Sequence, residues 1–358
     1  MNNNNLRKKK RTSHARRAGR FLLKIISALL AFVSILVIAL CAVMWVLARG
    51  PSPTAQRLFA MTVKETSAMG FLADLYLSEA ELESIFGTED TDDVLYEADT
   101  SLVILPSARP PQPVDDISAV QSANDDDNDT GIELHRVKGN GYLGYMMIVH
   151  DPMRVFVGTP QRLGNRGMTL MDMVRNNGAV AGINGGGFYD PGGGGSGGIP
   201  DGIVIIDGHL TWGEGGGRVN VIGFDAEGFL HVGTMTPRAA MDLNLKWAAS
   251  FGPTLILNGV AQNLSGSGIN PRTAIGQRAD GAVLMLVVEG RQIDSFGATF
   301  DDLIEVFLDF GAVNAANLDG GSSTLMILDG EIINRSGSVS GPRLLPTAFL
   351  VKPLRSMQ

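Results

Sequence analysis

The residues best suited to chemistry lie in one short stretch, residues 317–324, where Asn and Asp precede two glycines and three hydroxyl-bearing side chains. Apolar runs stand on both sides of it, which predicts a strand, a polar loop and a second strand. Paired glycines allow positive φ and let a ligand approach the backbone closely. Loops at strand ends commonly carry binding and catalytic groups, so Asp319 is the first candidate for a reactive side chain.

A second stretch, residues 270–276, has a similar design, in which an Asn-Pro turn is followed by Arg272, Thr273 and a predicted strand. Proline fixes φ in such a turn, and the planar arginine fork can donate paired hydrogen bonds. We therefore predict that the two stretches face each other across one site.

Several classes of chemistry are disfavoured by residue content. The 358-residue chain has one cysteine, Cys41, and five histidines, with no H-E-x-x-H or H-x-x-E-H pair. Disulfides within the chain, thiolate catalysis and zinc hydrolysis are therefore poor candidates. The Gly-rich residues 192–198 lack P-loop and dinucleotide-site signatures, so a mobile loop over the site is at least as good an interpretation as a phosphate-cradling loop. Thr324 breaks the G-x-S-x-G pattern of a serine esterase.

Charge divides the chain into two unequal parts. Residues 1–24 carry nine Lys or Arg and no acidic residue, whereas the whole chain has a formal net charge of -8. Residues 25–47 contain no charge and are long enough to cross about 30 Å of hydrocarbon. The positive-inside rule predicts a basic cytoplasmic tail (1–24), a retained single-pass transmembrane helix (25–47) and an extracellular remainder at the cell membrane. A cleaved signal peptide is the alternative, and the acidic remainder disfavours nucleic-acid binding.

Three further segments are predicted beyond this helix. Residues 51–105 form a membrane-proximal helical region, interpreted as a stalk or packing element, in which a capping box at residues 78–81 opens a second short helix. Residues 106–131, rich in Pro and Asp, form a linker with little apolar surface to bury. Residues 132–358 form the functional domain.

Within the functional domain, short apolar runs separated by Asp-Gly and Glu-Gly turns predict antiparallel hairpins. Amphipathic helices are predicted after Thr169 and over residues 300–310, the latter capped by Thr299. The fold class is therefore α+β, a mostly antiparallel mixed sheet with helices packed against it, preceded by the transmembrane helix and the helical stalk.

Six motifs follow one another in this domain: Asn-Gly-Gly-Gly-Phe (184–188), Pro-Asp-Gly (200–202), Phe-Gly-Pro (251–253), Asn-Pro-Arg-Thr-Ala-Ile-Gly (270–276), Asn-Leu-Asp-Gly-Gly-Ser-Ser-Thr (317–324) and Arg-x-x-Pro-Thr-Ala (343–348). This ordered set resembles the phosphodiester glycosidase family over roughly residues 140–352. One departure is the run of three glycines before Phe188, and the low cysteine content, which differs from secreted animal members of the family, is another. The resemblance implies a hydrolase of sugar 1-phosphodiesters, and the low cysteine content fits a bacterial cell-surface protein.

The resemblance also implies roles for individual residues. Asp319 is the first candidate for a carboxylate at the anomeric carbon, as base or electrostatic stabiliser, and Glu289 is the second. Asn184 would orient a sugar hydroxyl or the attacking water. The implied substrate-binding residues, which offer arginine forks, hydroxyls and backbone amides to a phosphate, are Arg272, Thr273, Gly320, Gly321, Ser322, Ser323 and Arg343. The competing roles are structural: salt bridges for the arginines, and turn or backbone contacts for the others.

The sequence therefore predicts a membrane-anchored extracellular hydrolase that cleaves glycosyl phosphodiesters in cell-surface or exopolysaccharide glycopolymers. A catalytically silent carbohydrate-binding module and a glycosyl transferase using the same site are the alternatives. No cofactor and no metal are predicted, and the expected partners are a phosphate-containing glycan and the membrane. The sequence leaves open the sugar, the aglycone, the anomeric outcome, any metal requirement and the oligomeric state.

Overall fold

The computed structural model describes residues 3–66, 69–86, 98–106, 131–213, 215–264, 266–338 and 341–354, with side chains from residue 21 onward. Nearly all of the predicted Pro- and Asp-rich linker lies outside the described residues. The helices are α1 Asn3–Arg49, α2 Pro53–Lys64, α3 Phe71–Tyr76, α4 Glu79–Phe86, α5 Leu170–Asn176, α6 Pro237–Asp242 and α7 Phe300–Asp309.

The strands are β1 Ile132–Gly139, β2 Tyr142–Val149, β3 Val155–Gly158, β4 Ala181–Asn184, β5 Val204–Ile206, β6 His209–Trp212, β7 Val219–Asp225, β8 Leu230–Met235, β9 Leu245–Ser250, β10 Thr254–Leu257, β11 Val260–Ala261, β12 Arg272–Arg278, β13 Val283–Val288, β14 Ala312–Leu318, β15 Met326–Leu328, β16 Glu331–Ile332 and β17 Ala348–Val351.

Among the described residues, three antiparallel sheets form the domain, which confirms the predicted α+β class. The central sheet has the order β1-β2-β13-β12-β14-β10-β11, the second sheet β16-β15-β4-β17-β3, and the third sheet β6-β5-β9-β7-β8. In the central sheet, Thr273 of β12 pairs with Leu318 of β14. This register places the beginning of β12 beside the end of β14. The stretches 270–276 and 317–324, predicted to face each other across one site, therefore lie next to each other.

Local turn chemistry explains why the hairpins form where the sequence predicts them. Asp207 and Gly208 join β5 to β6 with φ of 50° and 79°. Asp329 and Gly330 join β15 to β16 with φ of 51° and 80°. Two successive residues with positive φ make the turn whose twist matches that of paired strands, and Asp-Gly is among the sequences that adopt it most readily.

Apolar layers hold the three sheets together. One face of the central sheet, including Met285, shares a core with Phe349 of the second sheet and Phe224 of the third. The opposite face packs against α7 through Phe307. Helix α5 contributes Leu170 to a core with the second sheet. The sheet ends that carry the six motifs are therefore held by cores on both sides of the central sheet.

The N-terminal helices form a small bundle of their own. Helix α1 runs continuously through the predicted tail and membrane segment. Its part Phe21–Arg49 has a mean hydropathy of 2.9, so by length and composition it could cross a membrane or serve as a signal sequence. The end of α1 packs against α2 and the residue after α3 through Ala48, Phe59, Ala60 and Leu77.

We predict that Phe307→Ala lowers the free energy of unfolding by about 3–5 kcal/mol, because it removes a fully buried ring from the contact between α7 and the central sheet. Leu308→Ala on the same helix is the matched control, since Leu308 is 45% exposed, and it should cost less than about 1 kcal/mol. Urea unfolding of the detergent-solubilised protein measures both values. Equal losses would contradict the assignment of α7 as a core layer.

Candidate functional site

A cavity of about 1110 Å³ opens where the ends of β4 and β14 meet the beginning of β12. Its walls come from the loops that carry the six motifs and from the C-terminal end of α2. Residues that line it include Glu65, Thr66, Phe188, Asp190, Asp201, Phe251, Arg272, Arg291, Asn317, Asp319, Gly320, Gly321, Ser322, Ser323 and Arg343.

Asn184 is the buried junction behind this cavity. Its Nδ2 donates a hydrogen bond to the backbone oxygen of Asp319. Its Oδ1 accepts hydrogen bonds from Thr273 Oγ1 at 2.8 Å and from Leu325 N at 3.1 Å. Both Asn184 and Thr273 are fully buried and hydrogen-bonded to each other. The structure therefore brings these two predicted site residues together in a positioning role, and matches the backbone-binding alternative for Asn184.

Asp319 presents the most perturbed carboxyl group of the site. The pKa of Asp319 is raised from 3.8 to about 7, mainly by burial, and the nearby charges of Asp190 and Asp201 act in the same direction. A hydrogen bond from Ser323 and the positive charge of Arg343 oppose this rise in the pKa. Asp319 Oδ2 has no hydrogen-bond partner among the described residues. A carboxyl group with a pKa near neutrality can accept or donate a proton in a reaction.

A glycine-rich turn follows Asp319 directly. Gly321–Ser323 form a short 3-10 turn, and Gly321 has a φ of 60°, a conformation that favours glycine. A Cβ added at Gly320 would lie 2.7 Å from the backbone oxygen of Pro271, and one at Gly321 would lie 3.4 Å from Arg291 Nη2. The turn therefore fits tightly against β12 and beneath the guanidinium of Arg291.

Arg291 lines the cavity without an acidic partner among the residues that the structure describes. Among the described residues no carboxylate pairs with it, and its Nη2 donates a hydrogen bond to Thr66 Oγ1 at 3.3 Å. Loss of part of its hydration lowers the pKa of Arg291. A guanidinium in such a place is well suited to bind a phosphate.

Arg343 also lines the cavity, and it is paired with an acidic residue. Its Nη2 is 2.8 Å from Asp190 Oδ1, although without hydrogen-bond geometry, and its Nη1 donates to the backbone oxygen of Gly193 at 3.0 Å. Its guanidinium also lies over the ring of Phe188. These contacts place Arg343 at the edge of the Gly-rich loop 192–198.

Arg272 is occupied by protein groups. Its Nη2 donates to Glu65 Oε2 at 2.7 Å and to the backbone oxygen of Gly268 at 2.6 Å, and its Nε donates to the backbone oxygen of Ala298 at 3.1 Å. Its guanidinium stacks 4.5 Å from the centroid of the Phe300 ring. The structure thus matches the salt-bridge alternative for Arg272, with the carboxylate supplied by the membrane-proximal region.

Glu289 is separated from the cavity by its own partner. Its Oε1 accepts a hydrogen bond from the backbone nitrogen of Arg335, and its Oε2 accepts hydrogen bonds from the Arg335 guanidinium. Glu289 is 2% exposed and does not belong to the residues that line the cavity. The structure therefore does not bring it together with Asp319, and its contacts are those of a buried structural ion pair.

Four charged residues that line the cavity are not among the predicted site residues: Glu65, Asp190, Asp201 and Arg291. Glu65 lies in a segment interpreted as a stalk, and Arg291 lies between a hairpin strand and an apolar loop without a recognisable motif. The signal that could have drawn attention to Arg291 is its position two residues after Glu289, at the end of a predicted strand. Among the described residues, no group of three His, Cys, Asp or Glu is placed to hold a metal ion.

Comparisons with known proteins identify the domain that carries this cavity. Residues 177–352 match the family model described as phosphodiester glycosidase. The chain is 30% identical over 198 residues to the SPbeta prophage-derived uncharacterized protein YomE of Bacillus subtilis (strain 168), a match covering 51% of this chain and 29% of that protein. The chain thus spans less than a third of this curated relative.

A solved structure shows the same fold. The catalytic domain of zebrafish N-acetylglucosamine-1-phosphodiester alpha-N-acetylglucosaminidase, auto-inhibited by its pro-peptide, aligns with a TM-score of 0.53 and 22% identity. The alignment covers 65% of this chain and 87% of the zebrafish chain. At this identity the likeness concerns the fold alone.

We predict that Asp319→Asn stabilises the protein above neutral pH and not in acid. Because the folded-state pKa of Asp319 is raised from 3.8 to about 7, the folded state holds the proton more tightly than the unfolded state. The contribution of this proton to the free energy of unfolding is present in full below about pH 4. It decreases as pH rises and is lost above about pH 7. The variant avoids that loss, which amounts to at most about 4 kcal/mol for a shift of this size.

Urea unfolding of the wild type and of Asp319→Asn at pH 4 and pH 8 tests this expectation. Asp242→Asn provides the matched control, because Asp242 is 73% exposed on α6. A difference in stability between the wild type and Asp319→Asn that is the same at both pH values would contradict the raised pKa.

Proposed function

Residues 177–352 of this chain belong to the phosphodiester glycosidase family, and from this premise we propose that the protein hydrolyses the glycosidic bond of sugar 1-phosphodiesters. The observation that carries the proposal is the shared cavity of Asp319 and Arg291. One offers a carboxyl group with a pKa of about 7, and the other a cation without a carboxylate partner among the described residues. A glycosyl phosphodiester presents an anomeric carbon and an anion to this pair.

In the proposed reaction the phosphate lies beneath Arg291 and against the turn Gly321–Ser323. The ionised Asp319 accepts a proton from a water molecule, whose oxygen forms the new bond to the anomeric carbon. The bond between that carbon and the phosphate oxygen breaks, and the electron pair leaves with the phosphate. The products are a free sugar and a phosphate monoester. Because phosphate is a good leaving group, no second carboxyl group is required as an acid.

The cavity offers unpaired hydrogen-bond acceptors and aromatic rings that are suited to contact the sugar. Asn317 Oδ1 is buried without a hydrogen-bond partner among the described residues, like Asp319 Oδ2. Sugar hydroxyls can donate to such acceptors. Phe188 and Phe251 line the same cavity and offer apolar surfaces to the faces of a sugar ring.

The cellular setting is part of the proposal. We propose that α1 remains as a single membrane anchor with the domain outside the cell, where glycans of the cell surface or of an exopolysaccharide would be substrates. The apolar length of Phe21–Arg49 and the basic residues that precede it support this orientation. A silent binding module would hold such a glycan unchanged, and a transferase would produce species larger than the substrate.

We predict that the full-length protein in detergent releases free sugar from a synthetic N-acetylglucosamine 1-phosphodiester, as followed by proton NMR. Asp319→Asn should lower kcat about 100-fold or more, because the base is lost. Arg291→Ala should raise KM about tenfold, because a charge-assisted contact to phosphate is lost. Arg238→Ala is the matched control, since Arg238 is 90% exposed on α6, and it should change neither constant.

Three outcomes would contradict this proposal in different ways. A folded wild type that binds the diester without releasing sugar would favour the binding module. Products larger than the substrate would favour the transferase. Full turnover by Asp319→Asn would remove Asp319 from the reaction.

We further predict that kcat/KM rises with pH and levels off above about 7, because only the ionised Asp319 can accept the proton of water and its pKa is about 7. A pH profile of initial rates between pH 5 and 9 measures this. A profile that falls above pH 7 would assign the opposite role, a proton donor, to Asp319.

A further inference from the structure

Helix α3 lies beside the outer end of the apolar helix α1. Tyr76 of α3 and Met44 of α1 pack against the same apolar cluster, which includes Ala48. Met44 is five residues before the end of α1 at Arg49, a rise of about 7.5 Å. If α1 spans a bilayer, α3 therefore lies at the depth of the membrane interface and not above it.

The outward face of α3 is apolar. Phe71 is 63% exposed and Leu75 is 69% exposed, and at a spacing of four residues they share one face of the helix. Met69, 48% exposed, precedes them. The inner side of this segment, with Ala73 and Leu77, is buried. The exposed apolar face belongs to a helix that packs beside the end of α1, so the occupant that fits it is the lipid bilayer in which α1 would lie.

The bundle of α1 to α4 is tied together by polar contacts at its outer end. Gln56 Nε2 donates to the backbone oxygen of Ala48 at 3.0 Å. Lys64 of α2 pairs with Asp74 of α3 at 2.7 Å. Arg49 at the end of α1 pairs with a glutamate of α4. The position of α2 is therefore fixed relative to α1 and α3.

The C-terminal end of α2 is in turn fixed to the catalytic domain. Glu65, which follows it, accepts hydrogen bonds from Gly268 N at 2.8 Å, Asn270 Nδ2 at 3.0 Å and Arg272 Nη2 at 2.7 Å. Ile269 N donates to Thr62 Oγ1 at 3.0 Å. A Cβ at Gly268 would lie 2.3 Å from Thr62 Cα, so the two backbones meet directly.

One helix of 12 residues thus joins the membrane helix to the wall of the cavity, a length of about 18 Å. From this geometry, and resting on the proposed function, we infer that the substrate is a glycosyl phosphodiester attached to a lipid of the same bilayer. Cleavage releases the free sugar and leaves the phosphate monoester on the lipid. A cavity held this close to the bilayer favours substrates that the bilayer itself presents.

Proteoliposomes of the full-length protein test this inference. Three substrates carry the same N-acetylglucosamine phosphodiester: one attached to a long-chain lipid in the same vesicles, one attached to that lipid in separate protein-free vesicles, and one attached to a short soluble alcohol. At equal bulk concentration we expect the same-vesicle substrate to be cleaved at least tenfold faster than the separate-vesicle substrate. Running the lipid arm with a polyprenol and with a diacylglycerol distinguishes the two kinds of lipid.

A double variant isolates the membrane-contacting face. Phe71→Ser with Leu75→Ser should remove most of the advantage of the same-vesicle substrate and leave turnover of the soluble diester unchanged, because neither residue lines the cavity. Val260→Ser with Ile332→Ser is the matched control, since both side chains are exposed apolar residues of the catalytic domain. The control should change neither rate.

Contact with lipid is measured without turnover by Phe71→Trp in vesicles of brominated lipid. The fluorescence of the introduced tryptophan, measured as the difference between the variant and the wild type, should be quenched by the brominated lipid. The corresponding fluorescence of Val260→Trp should not be quenched. Equal cleavage of the two lipid substrates, or no quenching at position 71, overturns the inference while soluble turnover persists. If none of the three substrates is cleaved, the proposed function itself is contradicted.

Discussion

The hydrogen bonds of Asn184 join the parts on which the site depends. One side chain from the second sheet binds the backbone of Asp319, the hydroxyl of Thr273 in the central sheet and the amide of Leu325 beyond the loop that follows β14. A fully buried amide that lost these partners would carry a large desolvation cost. The junction therefore fixes the loop after β14 against the beginning of β12.

This junction also explains why the reactive group is costly to the fold. The loop holds Asp319 partly buried in the cavity wall, where Asp190 and Asp201 add negative charge, so its ionised form is disfavoured. Proteins retain such unfavourable groups at functional sites because the same environment supplies a proton acceptor at neutral pH. The apolar cores of the three sheets contribute stability that offsets this cost.

Local features of the fold could be predicted from the sequence, whereas pairings between distant residues could not. Asp-Gly turns place their own hairpins, and the Thr299 capping box of α7 is satisfied by Asp302 three residues later. The motif order also located the cavity, with Asp319 in its wall. By contrast, the partner of Arg272 is Glu65, 207 residues away in the sequence.

The same limit applies to the other charged residues of the site. Glu289 is paired with Arg335, 46 residues away, and Arg291 has no acidic partner among the described residues. Local sequence gives no sign of which guanidinium is occupied, because charge pairing is decided by tertiary contacts. The candidate phosphate ligand consequently moves from Arg272 to Arg291 once the contacts are known. The membrane-proximal region, interpreted from sequence as a stalk, likewise proves to be a wall of the cavity.

The central claim is that Asp319 carries a proton-active carboxyl group beside an anion site, and its titration tests this most directly. Protein labelled with ¹³C at aspartate carboxyl carbons, compared with Asp319→Asn to assign the resonance, would be titrated between pH 3 and 9. We predict a pKa of about 7 for Asp319 and a further rise when inorganic phosphate binds, because a neighbouring anion disfavours ionisation. A carboxyl group that titrates near 3.8 and does not respond to phosphate would contradict the account.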